Sequence, residues 1–280
     1  MSHTRAALLQ RAISQLTQAG TPQPQAEAEF LLAAAQHTTR TRVLAFSQQE
    51  VTATEAETFW HFIEQKEKGV PVAYITGEAD FGGLLLRSDP RALAPRPETE
   101  ELAQYCAGLF EKGADPAILD LCTGSGCIAL YLAAKLPQAQ VTGVDLSAEA
   151  LQLASENARL TKLQERVIWL QSDLFEQVSG RFDLIVSNPP YIASDEIAQL
   201  SAEVKQEPRM ALDGGEDGLD MIRRIISLAP DYLNARGTLA LEIGAGQADK
   251  VCALFDGKRW DGGVKKDFAG IERFVFARLR

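Results

Sequence analysis

Histidine is nearly missing from this 280-residue chain: His3, His37 and His61 are the only three, and none follows His61. Chemistry carried by the long remainder therefore cannot use a Ser-His-Asp triad, a Cys-His pair or a histidine-rich zinc site, and no metal centre is expected. Cysteine is scarce too. Cys106, Cys122, Cys127 and Cys252 form no Cys-x-x-Cys pair, so reduced thiols in a cytoplasm are the expectation. No apolar run approaches the ~20 residues of a membrane helix. The first 19 residues carry Arg5 and Arg11 and no unbroken apolar stretch, so neither a membrane partner nor a secretory leader is expected. Positive charge is in deficit: 28 Lys and Arg face 38 Asp and Glu, a formal net charge of −10. That balance argues against a protein that grips nucleic acid by its phosphates, although it leaves room for a local basic patch. With 46% hydrophobic and 24% charged residues, the chain is neither disordered nor collagen-like. No internal repeat is visible.

What remains is an ordinary globular pattern in three stretches. Residues 1–70 read as helices. Leu9, Ile13 and Leu16 share one helical face. Pro24 can open a second helix, with Phe30, Leu31, Ala34 and Ala35 on its apolar side. Thr54-x-x-Glu57 is a capping-box candidate, and Phe59, Phe62, Ile63 and Lys66 follow at helical spacing up to Gly69. Nothing there looks catalytic, and a helical bundle that helps to recognise a partner is expected. Residues 71–97 suggest a β-hairpin, Ala73–Thr76 with Leu84–Arg87 around Gly77, Gly82 and Gly83, and then a linker. In that linker Pro95 and Pro97 force an extended entry to a helix beginning near Glu98.

From residue 117 onward, strands and helices alternate. Ala117–Cys122, Gln140–Asp145, Val167–Gln171, Phe182–Ser187 and Gly237–Gly244 read as strands. Ile128–Leu136, Ala148–Leu160 and Leu219–Leu233 read as helices. Val264–Phe268 and Arg273–Leu279 read as a closing antiparallel pair. The alternation predicts an α/β fold with a parallel, doubly wound sheet.

Two loops carry chemistry. The first, Asp120-Leu121-Cys122-Thr123-Gly124-Ser125-Gly126, leaves a strand and opens a helix, and Gly124 and Gly126 permit a tight turn close to a ligand. Asp145, at the end of the next strand, is where a carboxylate accepts both hydroxyls of a ribose. The loop alone indicates an adenosine-containing cofactor; Gly124-x-Gly126-x-x-Ala129 also fits a nicotinamide dinucleotide. Asp120 disfavours a pyrophosphate and suits the cationic end of S-adenosylmethionine. After the third strand, Asp173 can accept from an adenine amine and Leu174 can pack on the ring.

The second loop, Asn188-Pro189-Pro190-Tyr191, follows the fourth strand, at the edge where open parallel sheets bind ligands. Consecutive prolines stiffen it and donate no N–H, leaving the Pro189 carbonyl for a substrate. The Asn188 side chain adds an amide oxygen. Two fixed acceptors can hold both hydrogens of one –NH₂ group, and Tyr191 offers a flat ring for a planar amide or base. Such a nitrogen is a poor nucleophile because its lone pair is delocalised. Hydrogen bonds accepted from both N–H groups raise its electron density and favour pyramidalisation.

At these residues the chain resembles the HemK/PrmC family, the peptide chain release factor glutamine N5-methyltransferases. The resemblance spans nearly the whole chain: the helical N-terminal region, Pro71-Val72-Ala73-Tyr74-Ile75-x-Gly77, Ala94-Pro95-Arg96-Pro97-Glu98-Thr99-Glu100, both loops, Glu207-Pro208, Ala211-Leu212-Asp213-Gly214-Gly215 and Asp267-x-x-Gly270-x-x-Arg273. It implies a class I S-adenosylmethionine-dependent methyltransferase domain over residues 98–280, after a helical substrate-recognition domain over 1–70. It implies methylation of the glutamine of a release factor's Gly-Gly-Gln motif. Cys122, Thr123, Gly124, Ser125, Gly126, Asp145, Leu174 and Asn188 would line the cofactor site, and Asn188 to Tyr191 would hold the glutamine and carry catalysis. A monomer is expected. Cys122 departs from the family's usual Gly and is shared with the sister family that methylates a large-subunit ribosomal protein. Three other readings stay open on the residues alone: an adenine N6-methyltransferase of nucleic acid, a nicotinamide-dependent oxidoreductase and a non-enzymatic cofactor sensor. The net charge disfavours the first, the Asn-Pro-Pro-Tyr loop the second, and an intact Asn188 and Tyr191 the third.

Overall fold

The computed structural model describes residues 4–280 and divides them into two units. The first runs to Gly77 and includes the distant segment Ser201–Gln206; the second comprises Glu78–Leu200 and Glu207–Arg280.

The helical unit contains α1 (Arg5–Gln18), α2 (Pro24–Ala35), α3 (Arg40–Ala45), α4 (Ala53–Glu67) and α5 (Val72–Thr76). Its core gathers Leu8, Ala12, Leu16, Leu31, Leu32, Phe59 and Ile63. Leu9 and Leu16 are buried as expected, with Ile13 packed at the margin. Pro24 occupies the first turn of α2. Three sequence expectations need correction. Phe30 is 51% exposed and carries the Arg40 guanidinium over its ring at 5.1 Å. The capping box is Thr52 with Glu55, not Thr54 with Glu57: Glu55 N donates to Thr52 Oγ1 at 3.3 Å and Thr52 N donates to Glu55 Oε2 at 2.8 Å. Both spacings exist in the sequence. Buried Val51 and Ala56 flank the earlier one as a hydrophobic staple would, and this decides between them. Val72–Thr76 is helical rather than a strand, because the Pro71 carbonyl accepts from Tyr74 N and Ile75 N and starts a turn. Here local hydrogen bonding overrides β-branched propensity. Lys66 is buried, its ammonium between Glu27 at 3.1 Å and Glu203 at 2.7 Å. That pairing ties Ser201–Gln206 into the helical unit, a buried ion being tolerable only when matched.

The second unit opens with the hairpin β1 (Glu78–Phe81) and β2 (Leu84–Arg87), seated on α7 (Cys127–Lys135) through Phe81 against Tyr131, edge to face at 6.0 Å. Then come α6 (Pro97–Ala107), β3 (Ala117–Leu121), β4 (Gln140–Asp145), α8 (Ala148–Leu160), β5 (Val167–Gln171), β6 (Phe182–Ser187), α9 (Asp220–Tyr232), β7 (Leu233–Glu242), α10 (Ala248–Cys252), β8 (Trp260–Lys266) and β9 (Glu272–Leu279). The sheet order is β5-β4-β3-β6-β7-β9-β8, with β9 antiparallel to both β7 and β8. This is the doubly wound sheet with a closing antiparallel pair that the alternation predicts. β7 begins four residues before the expected Gly237: Phe182 pairs with Leu233 but Leu184 with Thr238, and the irregular pairing between them hides the strand's start from periodicity. Apolar cores cover both faces, one around Ile118, Leu130 and Leu184, the other around Leu119, Ile185 and Leu239. The carboxyl ends of β3, β4, β5, β6 and β7 share one edge, where the two loops emerge.

Candidate active site

The loop after β3 is set from behind. Asp120 is wholly buried, and its Oδ2 accepts from Thr123 Oγ1 at 2.6 Å and from Ala129 N at 3.1 Å. It therefore knits the loop to the first turn of α7 and does not form part of the cleft wall. Burial pushes its pKa up to about 7, against the two hydrogen bonds. Its Oδ1 has no hydrogen-bond partner among the described residues. Cys122 has φ +57°, a left-handed conformation that glycine adopts without strain and a β-carbon makes costly. Burial raises the Cys122 thiol pKa, keeping it neutral at the cleft wall. Asn157 of α8, fully buried, donates to Ser125 O at 3.0 Å and exchanges hydrogen bonds with the Arg87 backbone, which fixes the loop's far side.

Asp145 Oδ2 accepts from Gly124 N and its Oδ1 from Ser147 N, both at 2.9 Å. A carboxylate has about four lone-pair sites, so each oxygen keeps one for a further donor such as a ribose hydroxyl. Burial raises the Asp145 pKa while these backbone bonds oppose it.

These residues face a cleft of about 970 Å³, its open mouth included, walled by Cys122, Thr123, Gly124, Ser125, Asp145, Asp173, Leu174, Asn188 and Pro190. A β-carbon on Gly124 would meet only Ala92, at 3.8 Å, so the turn leaves its space to a ligand. The lining fits an adenosine-bearing ligand: a carboxylate for hydroxyls, a glycine cradle and apolar Leu174 and Met221. Asp173 is less available than its position suggests, since Arg224 of α9 pairs with it at 3.0 Å.

Gly126, Pro189 and Tyr191 lie outside this cleft wall, as Asp120 does. Gly126 caps α7 with φ +81°. Pro189 is buried, and no donor among the described residues reaches its carbonyl. Tyr191 packs into the second core cluster, and its carbonyl accepts from Gln247 Nε2 at 2.8 Å. Burial and nearby Glu242 push the Tyr191 hydroxyl up to about 12, so it stays protonated.

The sequence singled out Ala94–Arg96 but read it as linker; the structure makes Arg91–Arg96 another wall of the cleft. Glu207 holds it: its Oε1 accepts from Ala94 N at 3.0 Å and its Oε2 pairs with Arg96. Sequence reasoning missed the pairing of Thr99 with Asn188 and with Glu242; Thr99 and Glu242 are both buried. Asn188 Nδ2 donates to Thr99 Oγ1 at 3.0 Å, and Thr99 Oγ1 donates to Glu242 Oε2 at 2.7 Å. A usable signal existed for Glu242, an acidic residue ending the apolar run Leu239-Ala240-Leu241.

Comparison with known proteins places this geometry. Residues 7–77 match the PrmC N-terminal domain and residues 104–216 the methyltransferase small domain. A protein named release factor glutamine methyltransferase from Deinococcus radiodurans is 41% identical over 271 residues, 97% of each chain. A protein named ribosomal protein uL3 glutamine methyltransferase from Bradyrhizobium diazoefficiens is 40% identical over 238 residues, 81% of this chain and 75% of that one. Among solved structures, the ribosomal protein L11 methylase of Lactobacillus delbrueckii subsp. bulgaricus shares the fold, with a TM-score of 0.52 at 21% identity over 70% of this chain and 86% of that one.

Proposed function

Because this chain belongs to the release factor glutamine methyltransferase family, we propose that it methylates the side-chain nitrogen of the Gly-Gly-Gln glutamine in a peptide chain release factor. The observation that carries the reading is Asn188. Its amide NH₂ is committed to Thr99 while its Oδ1 has no donor among the described residues, and the residue lines the cleft. S-adenosylmethionine, when bound, supplies the methyl group on a sulfonium. Cys122, Thr123, Gly124, Ser125 and Asp145 would hold it, with Leu174 against the adenine.

Everything else falls to the chain. Asn188 Oδ1 and the Pro189 carbonyl accept the two N–H groups of the glutamine amide, turning its lone pair toward the cleft. Preorganised dipoles of this kind are worth about 3–4 kcal/mol each in a dry site. Tyr191, outside the cleft wall and packed against the second core cluster, braces the corner from behind. No strong base is required. Once methylated, the nitrogen is acidic, and its proton passes through the oxygens already bonded to it and on to water. The relatives named release factor glutamine methyltransferase, 41% and 40% identical over 97% of this chain, support a release factor rather than a ribosomal protein as the substrate.

The test is methyl transfer from labelled S-adenosylmethionine to purified release factor, ribosomal protein and DNA in parallel, with the labelled residue mapped. Label on the glutamine of the release factor is expected; label confined to either other substrate overturns the reading. A second outcome concerns the cofactor alone. Asp145→Ala removes a charged acceptor worth about 1.5–3 kcal/mol, so titration calorimetry should show S-adenosylmethionine binding weakened by about 10- to 100-fold. An unchanged isotherm would remove Asp145 from the site.

A further inference from the structure

We propose that Thr99 and Glu242 are positioning residues whose joint task is to decide which end of the Asn188 amide faces the substrate. The inference rests on the reading of Asn188 as an acceptor for the substrate –NH₂ group, and goes beyond it.

An asparagine side chain has two nearly isosteric ends, one accepting and one donating. Only the accepting end can hold an –NH₂ group; the donating end would meet it donor to donor. Something must therefore fix the flip. The strand register brings the partners together: Ser187 pairs with Leu241, so Asn188 and Glu242 continue neighbouring strand ends, and Thr99 enters from the first turn of α6. Glu242 is 2% exposed and Thr99 3%. An ionised carboxylate can only accept, so the single Thr99 hydroxyl hydrogen goes to Glu242 Oε2 at 2.7 Å. That leaves Thr99 Oγ1 as an acceptor, which Asn188 Nδ2 satisfies at 3.0 Å. Each bond dictates the next, and Oδ1 is left as the acceptor available to the substrate. Bonds in such a chain also polarise one another, making Oδ1 a stronger acceptor than that of an isolated amide.

The chain holds its direction only while Glu242 is ionised. Burial pushes its pKa up to about 7, with the Thr99 hydrogen bond opposing. Glu98 of α6 raises it further, while Arg273 of β9 and Arg96 beside α6 lower it; Tyr191 and Cys127 also feel its charge. Above that value the carboxylate accepts and the amide is held. Below it, a protonated Glu242 donates to Thr99, the Thr99 hydrogen is released toward Asn188, and the amide can turn its NH₂ outward. Turnover should therefore fall as pH drops through about 7.

The experiment uses the full chain, with wild type, Thr99→Val, Thr99→Ser and Glu242→Gln assayed for methyl transfer to release factor across pH, and S-adenosylmethionine affinity measured separately. Thr99→Val should lower kcat by about tenfold or more, with cofactor affinity within about twofold. Thr99→Ser, which keeps the hydroxyl, should recover most of the loss. Glu242→Gln, near-isosteric and able to fold where Thr99→Val fails to, should lower kcat and erase the acid limb near pH 7. A Thr99→Val enzyme with wild-type kcat, or an acid limb unchanged in Glu242→Gln, overturns the proposal. These results stay distinct from failure of the functional reading, in which wild type itself leaves the release factor unlabelled.

Discussion

Asn188→Ala should lower turnover by at least ~10²-fold, the usual cost of removing one preorganised hydrogen-bonding partner from a reacting centre. The side chain belongs to two systems at once. It stands at the cleft wall beside Pro190 and Cys122, and it closes the buried chain through Thr99 to Glu242. Truncation removes the substrate's acceptor and leaves the Thr99 hydroxyl without its donor. Cofactor affinity should weaken only modestly, because Asp145 and the Gly124 turn hold their own hydrogen bonds independently. Single-turnover kinetics with saturating S-adenosylmethionine separate the two effects. A rate near wild type would end the case for Asn188 as an acceptor, since alanine supplies no carboxamide oxygen.

How much of this was legible beforehand depends on the range of the interaction. Gln140–Asp145, Ala148–Leu160 and Val167–Gln171 have the limits periodicity predicts, because each buries a face set by its own residues. The glycine loop and the Asn-Pro-Pro-Tyr corner were legible for the same reason: their chemistry is written in adjacent residues. The pairing of Thr99 with Asn188 and Glu242 was not. Thr99 meets Asn188 across 89 residues and Glu242 across 143, separations that no local pattern encodes. Asp120 shows the opposite failure. Its place before the loop suggests a charge facing the ligand, yet the strand turns it inward, where it binds Thr123 and Ala129. Side-chain direction at a strand end alternates residue by residue, so a reading one position off puts a carboxylate behind the loop instead of in front of it. Val72–Thr76 failed through competition, the turn started by Pro71 prevailing over strand propensity.

The corner must also be braced, and Gly218→Ala tests the brace. Gly218 has φ +74°, and a β-carbon there would lie 2.3 Å from the Tyr191 carbonyl oxygen and 2.9 Å from Gln247 Nε2. Those two atoms are themselves hydrogen-bonded at 2.8 Å. A methyl group cannot share that space, so the Tyr191 carbonyl must move and the corner with it. A displacement of about 1 Å in a reacting geometry can cost ~10²-fold in rate, and that is the expected fall in kcat. Strain alone would act differently. Gly180 has φ +90° with nothing within 4 Å of a β-carbon, so Gly180→Ala carries the same left-handed cost, about 1–2 kcal/mol, without touching the corner. Thermal melts should therefore show both variants destabilised, while kinetics should show only Gly218→Ala impaired. Equal turnover in the two would mean that the corner holds its shape without support from the Gly214–Gly218 turn. The stiffness needed to present paired acceptors would then reside in Pro189 and Pro190 alone.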